Sequence, residues 1–173
     1  MIRRLPLLVL VLAIAGCGYA LAGKANNLPD YIRRIGVPVF QNQSTIPELD
    51  QVYTQAVRAE LQSHRKFTVV SDTTGVDAVL AGTIQSVSQQ PVAFNGTNQA
   101  SRYVITVIAH VEFKDVKTSK ILSSPTDQRT EEYEVSGAAV TDLATLYGQN
   151  RNAFDRLARD FARSVVQTIL DSF

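Results

Sequence analysis

The stretch DAVLAGTIQSVSQQPVAFNGTNQASRYVITVIAHVEFKD, residues 77–115, decides the fold. Its second half sets Tyr103, Ile105, Val107, Ala109, Val111 and Phe113 at alternate positions, the period of a strand with one face on a core. Its first half repeats the pattern with Ala78, Leu80, Gly82 and Ile84. The alternation then falters over Ser86–Pro91, which predicts a bulge or bend as the strand leaves the core. Two long strands are therefore expected, Asp77–Phe94 and Ser101–Asp115, joined by the polar turn Asn95-Gly96-Thr97-Asn98-Gln99. The other face of the second strand is Arg102, Val104, Thr106, Ile108, His110, Glu112 and Lys114, only half polar. An antiparallel pair can leave one face to water, so an outer face of this mixed kind asks for a partner or a ligand.

Working outward, Ile32–Phe40 alternates Ile35, Val37 and Val39 and reads as a strand, with Pro38 putting it at an edge or a bulge. Thr45-Ile46-Pro47-Glu48 has the spacing of a capping box. Leu49, Val52, Tyr53, Ala56, Val57 and Leu61 follow as one helical face. Phe67–Ser71 is a further short strand, and strand–helix–strand in this order favours a parallel crossover. Beyond the long pair, Ile121–Val135 is a strand broken near Pro125, and Val140–Gly148 is a short helical or loop segment. Asn152 caps a last helix striped by Phe154, Leu157, Ala158, Phe161, Val165, Ile169 and Phe173. Its arginines, Arg156, Arg159 and Arg163, lie mostly off that stripe. An arginine-rich amphipathic helix can lie on a membrane, but here a sheet needs cover and core packing is the better reading. The expected architecture is α+β: two helices packed on one face of a largely antiparallel four- to five-stranded sheet.

Composition is that of a folded domain, with 45% hydrophobic and 19% charged residues in 173. Met1-Ile2-Arg3-Arg4, the apolar run Leu5–Ala15 and Gly16-Cys17 form a secretory signal too short to span a bilayer. Ile14-Ala15-Gly16-Cys17 is similar to the bacterial lipobox, which implies that Cys17 becomes the lipid-modified first residue. In such lipoproteins Gly18, rather than aspartate, after the cysteine implies passage to the outer membrane. Removing Arg3 and Arg4 from the 17 Lys+Arg leaves 15 against 16 Asp+Glu, a net of −1. A near-neutral chain without a basic run lacks the footprint of nucleic-acid binding. Cys17 is the single cysteine, so neither a disulfide within the chain nor a cysteine metal site is expected.

Chemistry has little to work with. The two histidines, His64 and His110, stand at a helix end and mid-strand. His64 has no ligand at metal spacing and reads as a capping or solvated group. A cross-strand hydrogen bond explains His110 as well as catalysis would. Lys114, Lys117 and Lys120 at the turn after the long pair suit phosphate, but edge lysines also block strand-to-strand aggregation, the preferred reading. Glu131, Glu132 and Glu134 read as a solvated charge run. No nucleophile elbow, zinc-protease motif or phosphate-binding glycine loop occurs, so the chain is expected to be no enzyme and to hold no cofactor or metal.

The lipobox followed by Gly18-Tyr19-Ala20-Leu21, the element order, and Phe94-Asn95-Gly96 through Gln99-Ala100-Ser101-Arg102-Tyr103 together resemble the LptE family of lipopolysaccharide-assembly lipoproteins. The resemblance implies a non-enzymatic partner of the outer-membrane barrel LptD, sitting largely inside it and helping deliver lipopolysaccharide to the outer leaflet. It also implies contact with barrel or lipopolysaccharide at the hairpin tip. The candidates here are Phe94, Asn95, Gly96, Asn98, Gln99 and Arg102, the last being the nearest basic residue to a neutral tip. The domains expected are a signal peptide at 1–16, a lipidated terminus and tether at 17–30, and one α+β domain at 31–173. A rival is another outer-membrane binding lipoprotein, such as a peptidoglycan-synthase activator. That would need a long linker, and Gly18–Asp30 is 13 residues. A periplasmic hydrolase would need perturbed titrating groups clustered in a cleft.

Overall fold

The computed structural model describes residues 28–96, 98, 100–134, 147–148 and 150–171. In chain order these form β1 (Arg34–Gly36), β2 (Gln41–Asn42), α1 (Leu49–Ser63), β3 (Thr68–Val70), β4 (Ala78–Phe94), β5 (Ala100–Asp115), β6 (Ile121–Ser123), β7 (Thr126–Glu134) and α2 (Arg151–Asp171). Cys17, the tether up to residue 27, Gln99, residues 140–146 and Phe173 lie outside the described residues.

The fold is α+β, with two corrections to the expected sheet. It has seven strands, and it is mixed. The order is β3-β1-β4-β5-β6, with β2 also on β4 and β7 also on β5. β1 runs parallel to both β3 and β4, and β2 runs parallel to β4. The β1–β3 pairing is the parallel crossover that the strand–helix–strand order favours. The extra strands arise because two runs that alternate like single strands are each broken in two. β1 and β2 follow one another along β4, and β6 and β7 follow one another along β5 across Pro125.

Pro38 marks the first break: the strand end beyond it, β2, pairs with β4 alone among the described residues and lies at an edge as expected, whereas β1 before it is interior, between β3 and β4. The backbone freed there is satisfied by α1. Arg58 donates from Nε and Nη2 to the Val37 carbonyl at 2.9 and 2.6 Å, and the Phe40 N–H donates to Thr54 Oγ1 at 2.9 Å. A buried break is tolerable only with such partners.

Both helices cover one face of the sheet. From α1 come Leu49, Tyr53, Val57 and Leu61; from α2 come Phe154, Leu157, Ala158, Phe161, Val165 and Ile169, all buried. They meet the alternating side chains of β4 and β5, from Ala78, Leu80 and Ile84 to Tyr103, Ile105, Val107, Ala109, Val111 and Phe113. Tyr53 and Phe161 join the helices with ring centroids 5.2 Å apart. Leu28, the first described residue, is already in this core.

Neither expected helix cap forms as the spacing implied. Glu48 is the N-cap of α1, in the left-handed region at φ 63°, and makes no side-chain cap. Its carboxylate instead reaches Arg151 at 3.3 Å. The turn before α1 is organised by Asn42, which accepts from Ser44 N and Oγ and donates to the Ile46 carbonyl at 2.7 Å. Burying Ile46 completely outweighs the local cap. α2 starts at Arg151, so Asn152 is inside the helix, and the Ala153 N–H bonds the Asn150 carbonyl at 2.8 Å.

Asp115 is buried where β5 ends and closes the next turn. It accepts from Tyr31 Oη at 2.5 Å, Thr118 Oγ1 at 2.7 Å, and the Lys117 and Thr118 amides at 2.8 and 3.3 Å. The Tyr31 hydroxyl, then the Thr118 and Lys117 donors, hold its carboxyl below the usual carboxylate range against the opposing effect of desolvation. Asp77 is lowered in the same way by the Arg34 and Arg33 amides. Depressed native carboxylates stabilise the fold fully above their unfolded pKa of about 3.9 and lose that contribution as pH falls through the folded value. Stability measured by urea unfolding is thus expected to be level above about pH 5 and to fall below about pH 4. An Asp115→Asn chain, already short of that contribution, should show a shallower fall; an unchanged pH slope would contradict the assignment.

Candidate contact site at the hairpin tip

The β4–β5 hairpin continues past the core. β4 loses its β2 neighbour after Ile84, where the Gln43 N–H bonds the Ile84 carbonyl. The register slips between Ile84 and Ser86, at the onset of the faltering segment. From Gln85 to Phe94 no residue of β4 is buried. Among the described residues this distal half is a three-stranded ribbon, with β5 between β4 and β7. Tyr103, opposite Pro91 and Tyr133, is the last buried residue on the way to the tip among those whose side chains are described.

Two further register slips, at Pro91/Ala93 and Ala93/Phe94, bring Ala93 opposite Arg102 and Phe94 opposite Ala100. The pairing therefore gathers Phe94, Asn95, Gly96, Asn98 and Arg102 at one end of the molecule. Asn98 adopts a left-handed φ of 63°, and its N–H bonds the Asn95 carbonyl at 3.0 Å, closing the turn. Asn tolerates this region better than most side chains. Phe94 is 61% exposed and Val92 50%, an apolar pair beyond the reach of the core. Val92 is not among the residues singled out from sequence. Its signal is an apolar side chain beside Pro91 in the stretch where alternation fails, so that no face could be assigned to it.

The outer face of β5 is as mixed in the fold as in the sequence, with Val104, Thr106, Ile108, His110 and Glu112 half-buried and, among the described residues, no helix over them. His110 lies across the strands from β7. Its Nδ1 is 3.0 Å from Thr126 Oγ1 and its Nε2 3.2 Å from Ser124 Oγ. His64 is the C-cap of α1, its N–H bonding the Leu61 carbonyl, with Glu60 at 3.8 Å. Among the described residues no His, Cys, Asp and Glu side chains gather at metal-binding geometry. No described helix is long and apolar enough to cross a membrane.

The family model for LptE, lipopolysaccharide-assembly, matches residues 32–171. The chain belongs to the LptE family. No curated protein matches it. Among solved structures, a hypothetical protein from Chlamydia trachomatis superposes with a TM-score of 0.55 at 11% identity, over 80% of this chain and 95% of that one. A protein from Xanthomonas campestris gives 0.51 at 12% identity, over 81% and 84%. The rare lipoprotein B of Shewanella oneidensis gives 0.48 at 15% identity, over 81% and 92%. At these identities the first two show a likeness of fold alone. LptE membership itself sets the chain among the assembly lipoproteins of the bacterial envelope, a family of lipopolysaccharide-transport partners and not of enzymes.

Proposed function

We propose that this LptE-family chain is anchored to the outer membrane through a lipidated Cys17 and seats in an LptD-type β-barrel, which it supports in carrying lipopolysaccharide to the outer leaflet. The hairpin end is the contact region, with Phe94, Asn95, Gly96, Asn98, Gln99 and Arg102 as its residues and Val92 added from the fold. The observation that carries this reading is the protruding ribbon, which exposes Val92 and Phe94 where no core residue meets them. Exposed large apolar side chains grouped at one point, rather than scattered, mark an interaction site. The half-apolar outer face of β5 supports the same reading, since a surrounding barrel wall gives it cover that the helices do not.

Charge placed at the tip tests this without touching the core. A Phe94→Asp chain should keep its stability within about 0.5 kcal/mol, as for other exposed positions. Its recovery of the barrel from detergent-solubilised membranes should fall about tenfold, the loss expected of a desolvated aromatic anchor. Arg102→Ala should weaken retention of lipopolysaccharide. If both chains recover barrel and lipid as the parent does, the tip is not the contact region.

A further inference from the structure

The registers widen the outer face of β5 into a surface with its own composition. Thr83 and Thr126 flank His110, Ser86 and Gln128 flank Ile108, and Ser88 and Thr130 flank Thr106. Directly opposed residues share a face, so these nine side chains form a block three strands wide, opposite the two described helices. In a regular strand Thr83 and Ser86 would face opposite ways, being an odd number of residues apart. The slip between Ile84 and Ser86 sets both on this face. None of the nine is Asp, Glu, Lys or Arg, and six carry a hydroxyl. His110 spends both ring nitrogens locally, 3.0 Å from Thr126 Oγ1 and 3.2 Å from Ser124 Oγ. Charge resumes on either side. Glu112, opposite Ala81, bounds the block towards the start of β4, and the Glu132 position, opposite Val104, bounds it towards the tip. The helices have the contrary composition, with Arg151, Arg156, Arg159, Asp160, Arg163 and Asp171 exposed along α2.

We propose that this block is the face by which the domain seats against the inner wall of its barrel, leaving the charged helices turned to the open lumen. The inference rests on the reading that the domain sits in a barrel, and adds which side meets the wall. A charged side chain must be desolvated when an interface closes over it, and the pairing gained often only offsets that cost. A block without such side chains avoids it. Hydroxyls donate and accept alike, so they match whichever polar groups face them, and the inner wall of a transmembrane barrel is polar. The block is also continuous with the hairpin end. One row, Gln90 and Glu132 about Val104, separates it from Arg102 and the exposed Val92 and Phe94. From His110 to Arg102 the face runs roughly 27 Å at about 3.4 Å per residue, close to the roughly 25 Å height of a barrel's apolar band. None of the nine is a Phe or Tyr on which a sugar ring would stack, which favours a protein wall over a saccharide.

The test is thiol labelling of the full mature lipoprotein, alone in detergent and purified in complex with its barrel. Cys17 is the single cysteine, so Ser88→Cys, Thr130→Cys, Gln55→Cys and Arg159→Cys each add one reporter at an exposed position. Labelling is read on the peptide concerned by mass spectrometry. Ser88→Cys and Thr130→Cys should react with a maleimide about tenfold more slowly in the complex, as water is excluded from a packed interface. Gln55→Cys and Arg159→Cys, on the helices, should change less than about twofold. Equal rates at the sheet positions, or protection at the helix positions instead, overturn the orientation and leave the barrel reading standing. A chain that recovers no barrel refutes both. Protection of the sheet positions by lipopolysaccharide alone, or by raising the concentration of the chain alone, gives the face to a glycolipid or a second copy and overturns the proposal. A Ser88→Lys, Thr130→Lys chain should recover about tenfold less barrel, because two charges must then be desolvated. Gln55→Lys should recover it as the parent does. Undiminished recovery by the double variant also overturns the face.

Discussion

A Phe113→Ala chain is expected to lose about 3–5 kcal/mol of unfolding free energy, the cost of deleting a fully buried aromatic ring. Phe113 is wholly buried on β5 and pairs across the sheet with Leu80, under the two helices. It also pairs with Ser123 of β6, so its neighbours are fixed on both sides in the middle of the sheet. They cannot close a ring-sized void without breaking the register. Urea unfolding should show a lower midpoint at unchanged slope, the mark of lost stability rather than a changed unfolded state. Gln90→Ala, at an exposed position on the distal ribbon, is the comparison and should stay within about 0.5 kcal/mol. A Phe113→Ala loss below about 1 kcal/mol would mean that this face is not the core.

The second large effect comes from adding one carbon. Gly82 faces the core opposite Val111, and a Cβ placed there falls within the Phe40 ring. Phe40 is buried, and its N–H is held by Thr54 Oγ1, so the ring cannot move aside together with its backbone. Gly82→Ala should therefore destabilise by about 3 kcal/mol, the upper range for an overpacked core, although alanine would otherwise suit a strand better than glycine. Because one ring causes the clash, the loss must depend on Phe40. Phe40→Ala alone should cost about 3–5 kcal/mol, and adding Gly82→Ala to it should cost little more. Strict additivity in this double-mutant cycle would show that the glycine is needed for some other reason.

Much of this was legible in the sequence, and the failures have physical causes. The long hairpin, its inner face and the place where it departs from the core followed from alternation, because burial on one face forces that period. The two helical stripes followed for the same reason. Strand count did not, since β1 and β2 alternate as one run while Arg58 and Thr54 of α1 satisfy the backbone of the break between them. The capping box at Thr45–Glu48 failed because spacing reports an opportunity, whereas burial of Ile46 and the Asn42 bonds determine the turn actually taken. The clustering of Phe94, Asn95 and Arg102 was readable from hairpin symmetry. The exposure of Val92 was not, because two register slips beside Pro91 erase the face that alternation would assign. The width of the uncharged outer face stayed hidden for a related reason. Its flanking rows come from β4 and β7, whose registers against β5 no alternation specifies.

The most direct test of the central claim is affinity purification of the tagged, acylated chain from membranes, with mass spectrometry of what stays bound. The account predicts a large outer-membrane β-barrel at about one to one that survives detergent, as an obligate interface of large buried area should. Recovery of peptidoglycan-synthesis enzymes in its place, or of no partner, would contradict it.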